Sequence, residues 1–236
     1  VKCNGLAMEK VIIKLDRRWE LAEFAVFTKE YLQLYGFFYA LQSRSKEVTS
    51  PTEKDGEVWG YSTMPWEGGH SVVNFFRGVY TSTPPEYRPV VKKIQYASPG
   101  FIELSALTDI AWQIAELVAA VAASILTANK VYDRVMRTYR QREWAKLKSD
   151  KLRLQNQERE IQLVANSVKA LEKVMGLSEE QHKYLVRLSG ADELVQLKML
   201  LAVFRRATPL AELQESGKAD FKGENDKDGK APQHKN

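Results

Sequence analysis

One stretch constrains everything else in the chain. From Leu107 to about Arg140 the sequence reads LTDIAWQIAELVAAVAASILTANKVYDRVMRTYR, almost wholly apolar at first and strongly basic at the end. The apolar part, Ile110 to Ala128, is about as long as the roughly 20 residues that a bilayer-spanning helix needs. Lys130, Arg134, Arg137 and Arg140 follow it as a basic flank would follow a span. Within it, however, Gln113 and Glu116 would be costly in hydrocarbon. Asp109, Gln113, Glu116, Ala120, Ser124 and Thr127 also fall on one stripe at helical spacing, with Ile, Leu and Val elsewhere. A narrow polar stripe suits a helix surrounded by protein, and the alanines 115, 119, 120, 122 and 123 would let a neighbour approach closely. The expectation is a buried helix. Membrane insertion of Ile110 to Ala128, with the basic flank on anionic lipid, is the alternative.

Ahead of this helix lie shorter elements of both kinds. Val11, Ile13 and Leu15 alternate in a β-branched run that reads as a strand. Asp16 is a candidate N-cap for a helix over about Arg17 to Gln42, in which Phe24, Phe27, Tyr31, Leu34, Phe38 and Leu41 recur at helical spacing. Gly36 sits inside it, at a cost of about 1 kcal/mol against Ala. Ser43 to Gly69 is rich in Pro, Gly, Ser and Thr and reads as a loop with a brief strand at Glu57 to Tyr61; a short helix, His70 to Tyr80, follows. Pro89 to Ala97 reads as a second strand, and Ser98-Pro99-Gly100 turns it into a hairpin with Phe101 to Leu104. Residues 8–104 thus form a small α+β module with about three strands. A sheet that small needs a covering layer, which the long helix can supply.

Downstream, residues 105–142 are the long connecting helix, capped by Ser105 or Thr108, and residues 143–207 are a helical region. Leu147, Leu154, Ile161, Val168 and Met175 recur at sevens, with Val164 and Leu171 at the accompanying position. This predicts a coiled coil or helical hairpin whose seam is Leu147, Leu154, Ile161, Val164, Val168 and Leu171. Gly176 closes that helix, Ser178 to Gln181 is a capping box for another ending at Gly190, and a last helix covers Asp192 to Arg206. Residues 208–236 lose nearly all aliphatic character and read as a disordered tail.

The chemistry is mostly exclusion. Only Cys3 is present, so no disulfide forms within the chain, and a reducing setting is the natural one. The opening VKCNGLAMEK has no apolar core of the export kind, and the expectation is cytoplasmic, with the inner face of the membrane as the alternative. Three histidines, His70, His182 and His234, stand apart without metal-ligand spacing, so no metal is expected. Gly68-Gly69-His70-Ser71 lacks the frame of a phosphate loop, and no cofactor or small-molecule substrate is inferred. Trp59, Tyr61 and Trp66 read as a cluster pinning their loop. Between Lys130 and Arg153 nine Lys or Arg stand against three acids. Lys130, Arg134, Arg137 and Arg140 are a candidate face for an anionic partner, nucleic acid included, with Tyr132 and Tyr139 available to stack on bases. A formal charge of +5 permits such a partner without requiring one. The leading expectation is a non-enzymatic assembly or regulatory protein. Its α+β module would bind a partner, and its helical half would form homo-oligomers or grip another helical protein.

Overall fold

The computed structural model describes residues 8–45, 72–96, 99–123, 130, 132–135, 137 and 157–222. The fold is α+β, a four-stranded antiparallel sheet and a larger body of helices. Strand β1 (Met8–Leu15) is central, flanked by β3 (Gly100–Leu107) on one side and the short β4 (Ala219–Asp220) on the other. Among the described residues strand β2 (Val90–Gln95) pairs only with β3, so the order is β2-β3-β1-β4. The alternation in β1 decides which face is covered. Val11, Ile13 and Leu15 are buried, opposite Leu104, Ile102 and Gly100, and they set the register, because a slip of one residue would turn them to solvent.

Helix α1 (Leu21–Ser45) lays its aromatic face into the core. Phe27, Tyr31, Leu34, Tyr35, Phe38 and Leu41 are all buried. It begins four residues later than the Asp16 cap predicts. The Asp16 carboxylate instead accepts from the next backbone amide, Arg17, which has a left-handed φ of 62° that no helix accommodates. The carboxylate of Glu23 takes over at the true start, accepting from Glu20 N at 2.9 Å. Gly36 is required by packing. A Cβ there would lie 2.7 Å from Tyr80 Cα, where α2 (Val72–Ser82) crosses α1 backbone to backbone. The Tyr35 hydroxyl donates to Tyr87 O at 2.8 Å and accepts from Leu107 N at 3.0 Å, joining α1 to the turn Pro85–Tyr87 and to the end of β3.

The long helix begins directly at the end of β3, as α3 (Thr108–Ala123). Ser105 belongs to the strand, and the Thr108 hydroxyl donates to Glu9 at 2.9 Å. Ile110, Ile114, Leu117, Val118 and Val121 are buried, and three residues of the polar stripe have protein partners, while Ser124 and Thr127 lie outside the described residues. Asp109 accepts from Gln42 at 3.0 Å, Gln113 from Gln181 at 2.9 Å, and Glu116 from Trp112 at 2.8 Å. Among the described residues no helix is long and apolar enough to cross a membrane.

Helices α4 (Gln157–Met175), α5 (Glu179–Leu188) and α6 (Glu193–Glu215) complete the body. Gly176 and Gly190 take left-handed φ of 65° and 62° where helices end. Ser178 and Gln181 exchange both capping-box hydrogen bonds. Asp192 caps α6 by accepting from Leu194 N and Val195 N. The disordered tail expected from residue 208 does not hold for residues 208–222. Helix α6 runs through Pro209 to Glu215, and the chain then returns as β4. Proline forfeits one helical hydrogen bond, but Leu210, Ala211 and Leu213 beyond it are buried, which offsets that loss. The tail's single aromatic, Phe221, stacks with Tyr31 at 6.5 Å between centroids. Residues 223–236 lie outside the described residues. One continuous cluster of buried side chains runs from Val11 to Phe221.

Candidate interaction surface

The seam residues divide. Val164, Val168 and Leu171 are buried inside the chain's own core, on the side of α4 that meets α6 and α3. They cannot also face a second chain unless the fold opens. Ile161 lies on α4 with its side chain outside the description, and Leu147 and Leu154 lie outside the described residues altogether. The physical reason is general: an apolar heptad on one helix is satisfied equally by a partner's helix or by the chain's own neighbouring helices. Among the described residues a coiled coil is not observed.

The basic face is present in part. Lys130, Arg134 and Arg137 occupy helical backbone and are exposed, with the Arg137 Nε donating to Asp133 O at 3.4 Å. Arg140 lies outside the described residues. Tyr132, a candidate for base stacking, is spent on the fold. Its ring stacks on Phe204 at 5.0 Å, and its hydroxyl accepts from Arg205 at 3.1 Å. Tyr139, the loop trio Trp59, Tyr61 and Trp66, and Gly68 to Ser71 lie outside the described residues. His182 contacts the Glu172 carboxylate at 2.6 Å on an exposed face, and among the described residues no group of metal-ligating side chains gathers.

The surface that stands out is the free edge of the sheet. In β2 the backbone pairs with β3 on one side, and among the described residues no strand follows on the other. Val91 lies opposite Leu104 and Ile94 opposite Ile102, so both point to the helical side of the sheet. Their partners on β3 are buried beneath the helices, yet Val91 is 53% exposed and Ile94 51%. Among the described residues the helical layer stops short of β2, leaving these two side chains overhanging. Tyr96, 70% exposed, continues the row beyond the strand, and Val90 is uncovered beside Ser105. Of the seven large apolar side chains exposed among the described residues, four are these, so the apolar surface is concentrated rather than scattered.

Charge in the same strand is of one sign. Lys92 sits at an irregularity of the β2–β3 register, and Lys93 lies opposite Glu103. That carboxylate is engaged from the other side by Lys10 at 3.1 Å, while the Lys93 ammonium rests 5.1 Å from the centroid of the Phe101 ring. Among the described residues neither Lys92 nor Lys93 has an acidic partner. Among the described residues, a row of unpaired backbone groups, three exposed apolar side chains with Tyr96 just beyond them, and two lysines without an acidic partner therefore share one short strand. Sequence reading identifies the strand but not its exposure, which depends on where the strand falls in the sheet. The one local signal is that VVKKIQ breaks the apolar-polar alternation expected of a strand with a single buried face.

No family model, curated protein or solved structure matches the chain.

Proposed function

We propose that this chain is a non-enzymatic assembly or regulatory protein that works by binding another polypeptide, and that β2 is its docking edge. The observation that carries the reading is that Val91 and Ile94 on the helical face, with Val90 and Tyr96 beside them, are left uncovered on a strand whose outer backbone edge has no partner strand among the described residues. Exposed apolar strands of this kind invite pairing with another chain. Three of the expected seam residues, Val164, Val168 and Leu171, are taken up by the chain's own core, which leaves the β2 edge as the better-supported docking surface. A cytoplasmic setting is part of the same proposal.

Gel filtration of an extract from the protein's own cells tests it. The chain is expected to elute well above its 27.0 kDa mass. A Val91→Ser plus Ile94→Ser variant is expected to elute near that mass while unfolding at the wild-type temperature. Identical elution of the two proteins would overturn the assignment to β2.

A second reading, contact with an anionic surface, is favoured by the exposure of Lys130, Arg134 and Arg137 on one stretch of helical backbone. It predicts salt-dependent binding to anionic vesicles or nucleic acid that Arg134→Glu plus Arg137→Glu abolishes.

A further inference from the structure

An edge strand can be completed by a second copy of the same chain or by a different segment, and here charge separates the two. Pairing β2 with itself would set Lys92 and Lys93 of one copy near those of the other. Like charges placed opposite each other across strands are destabilising. Edge lysines and irregular register are also the common devices by which sheets resist joining to their own kind. Those devices explain the lysines. They do not explain Val90, Val91, Ile94 and Tyr96, which make the edge more adhesive and would be replaced by polar residues if protection were the whole purpose.

Resting on the reading of β2 as a docking edge, we infer that its occupant is an extended segment of another protein. That segment alternates acidic with apolar residues and adds to the sheet as a fifth strand beside β2. The register specifies the pattern. Val91 and Ile94 face the helical side and Lys93 the opposite side. Neighbouring strands place side chains of matching position on the same face. An incoming strand therefore presents apolar residues toward Val91 and Ile94 and carboxylates toward Lys93. The apolar row extends the core outward past the end of the helical layer, and the carboxylates neutralise lysines that Glu103, held by Lys10, leaves unpaired. Outward backbone N–H and C=O groups of β2 supply the main-chain hydrogen bonds, as in other strand-addition complexes.

The test uses the purified full chain and three labelled, end-blocked peptides about as long as β2. The first alternates Glu with Val and Ile. The second carries Lys in place of Glu. The third is the acidic peptide with alternate backbone nitrogens methylated. Fluorescence anisotropy is expected to show binding of the acidic peptide alone, weakening as salt rises. Lys92→Glu plus Lys93→Glu is expected to weaken that binding at least tenfold and to admit the Lys peptide. Light scattering of the unliganded chain is expected to give a monomer. Equal binding of the acidic and Lys peptides, or indifference to N-methylation, would overturn strand addition by an acidic segment. A dimer dispersed by Ile94→Ser would make a second copy the occupant and overturn it equally. If the peptides fail while elution in extract still depends on Val91 and Ile94, the docking edge stands and only the nature of its occupant is refuted. If elution does not depend on them, both fall.

Discussion

The guanidinium carbon of Arg206 lies 3.6 Å from the centroid of the Phe76 ring, so a cation from α6 is stacked on an aromatic of α2 in the middle of the helical body. The same side chain donates to Gln33 on α1 and to Ala202 O at 2.9 Å, with the Glu30 carboxylate 4.0 Å away. Burial pulls the arginine down to about 10, and only the nearby Glu30 opposes that pull. The charge is thus costly to bury and held by geometry that joins three helices. Arg206→Ala is expected to lower stability by about 3 kcal/mol in urea unfolding, and Arg206→Met by clearly less, since Met refills the volume and needs no partner. Equal losses would show that packing against Phe76 plays no part.

Tyr31 and Tyr35 are one helical turn apart and have opposite hydrogen-bonding fortunes. The Tyr35 hydroxyl makes two hydrogen bonds, whereas the buried Tyr31 hydroxyl has no partner among the described residues, and burial raises its pKa far above the ordinary phenol range. Tyr35→Phe strands the Leu107 amide and is expected to cost about 2 kcal/mol. Tyr31→Phe removes an unsatisfied polar group and is expected to be neutral or to raise the melting temperature. A loss at Tyr31 as large as that at Tyr35 would contradict this assignment.

At Gly36 the two backbones of α1 and α2 meet with no room for a methyl group. Gly36→Ala ordinarily favours a helix, but here it forces Tyr80 away. A net destabilisation of about 2 kcal/mol or more is expected by thermal unfolding. A stabilised variant would mean that the helices do not cross so closely.

Glu23 joins the start of α1 to the approach of β4. Its carboxylate accepts from Glu20 N and from the Lys218 ammonium, and these two interactions, the first the stronger, hold its pKa below the ordinary 4.5. A depressed carboxylate stabilises the fold fully above its unfolded pKa, and that contribution is lost as pH falls through the folded value. Glu23→Gln is therefore expected to lower the melting temperature at neutral pH and to converge on wild type in acid, as the pH falls through the depressed pKa of the folded state. A constant difference across that range would remove the electrostatic explanation.

What could be read from the sequence follows from how local each signal is. The Ser178–Gln181 box, the glycines at 176 and 190, and the alternation of Val11, Ile13 and Leu15 are each decided within a few residues, and all lie where expected. Strand β4 is two residues long and carries no period, so only its partners in β1 reveal it. The same holds for Phe221, whose isolation in a polar tail hid a place in the core beside Tyr31 and Phe27. The heptad at Val164, Val168 and Leu171 was visible as an apolar face but not as an internal one. The candidate surface was least legible, because an overhanging Val91 and a buried Ile13 look alike until strand order is known.

The central claim is that β2 is where this protein meets another. Its most direct test is a photo-crosslinking amino acid placed singly at Val91, Ile94, Trp112 and Arg134 in the chain expressed in its own cells, with adducts sized after irradiation. All four sites are exposed, and they lie on separate elements apart from the β2 pair. A discrete adduct of one size from Val91 and Ile94, absent at Trp112 and Arg134, is the predicted result. Adducts confined to Trp112 or Arg134, with Val91 and Ile94 silent, would place the partner elsewhere and contradict the account.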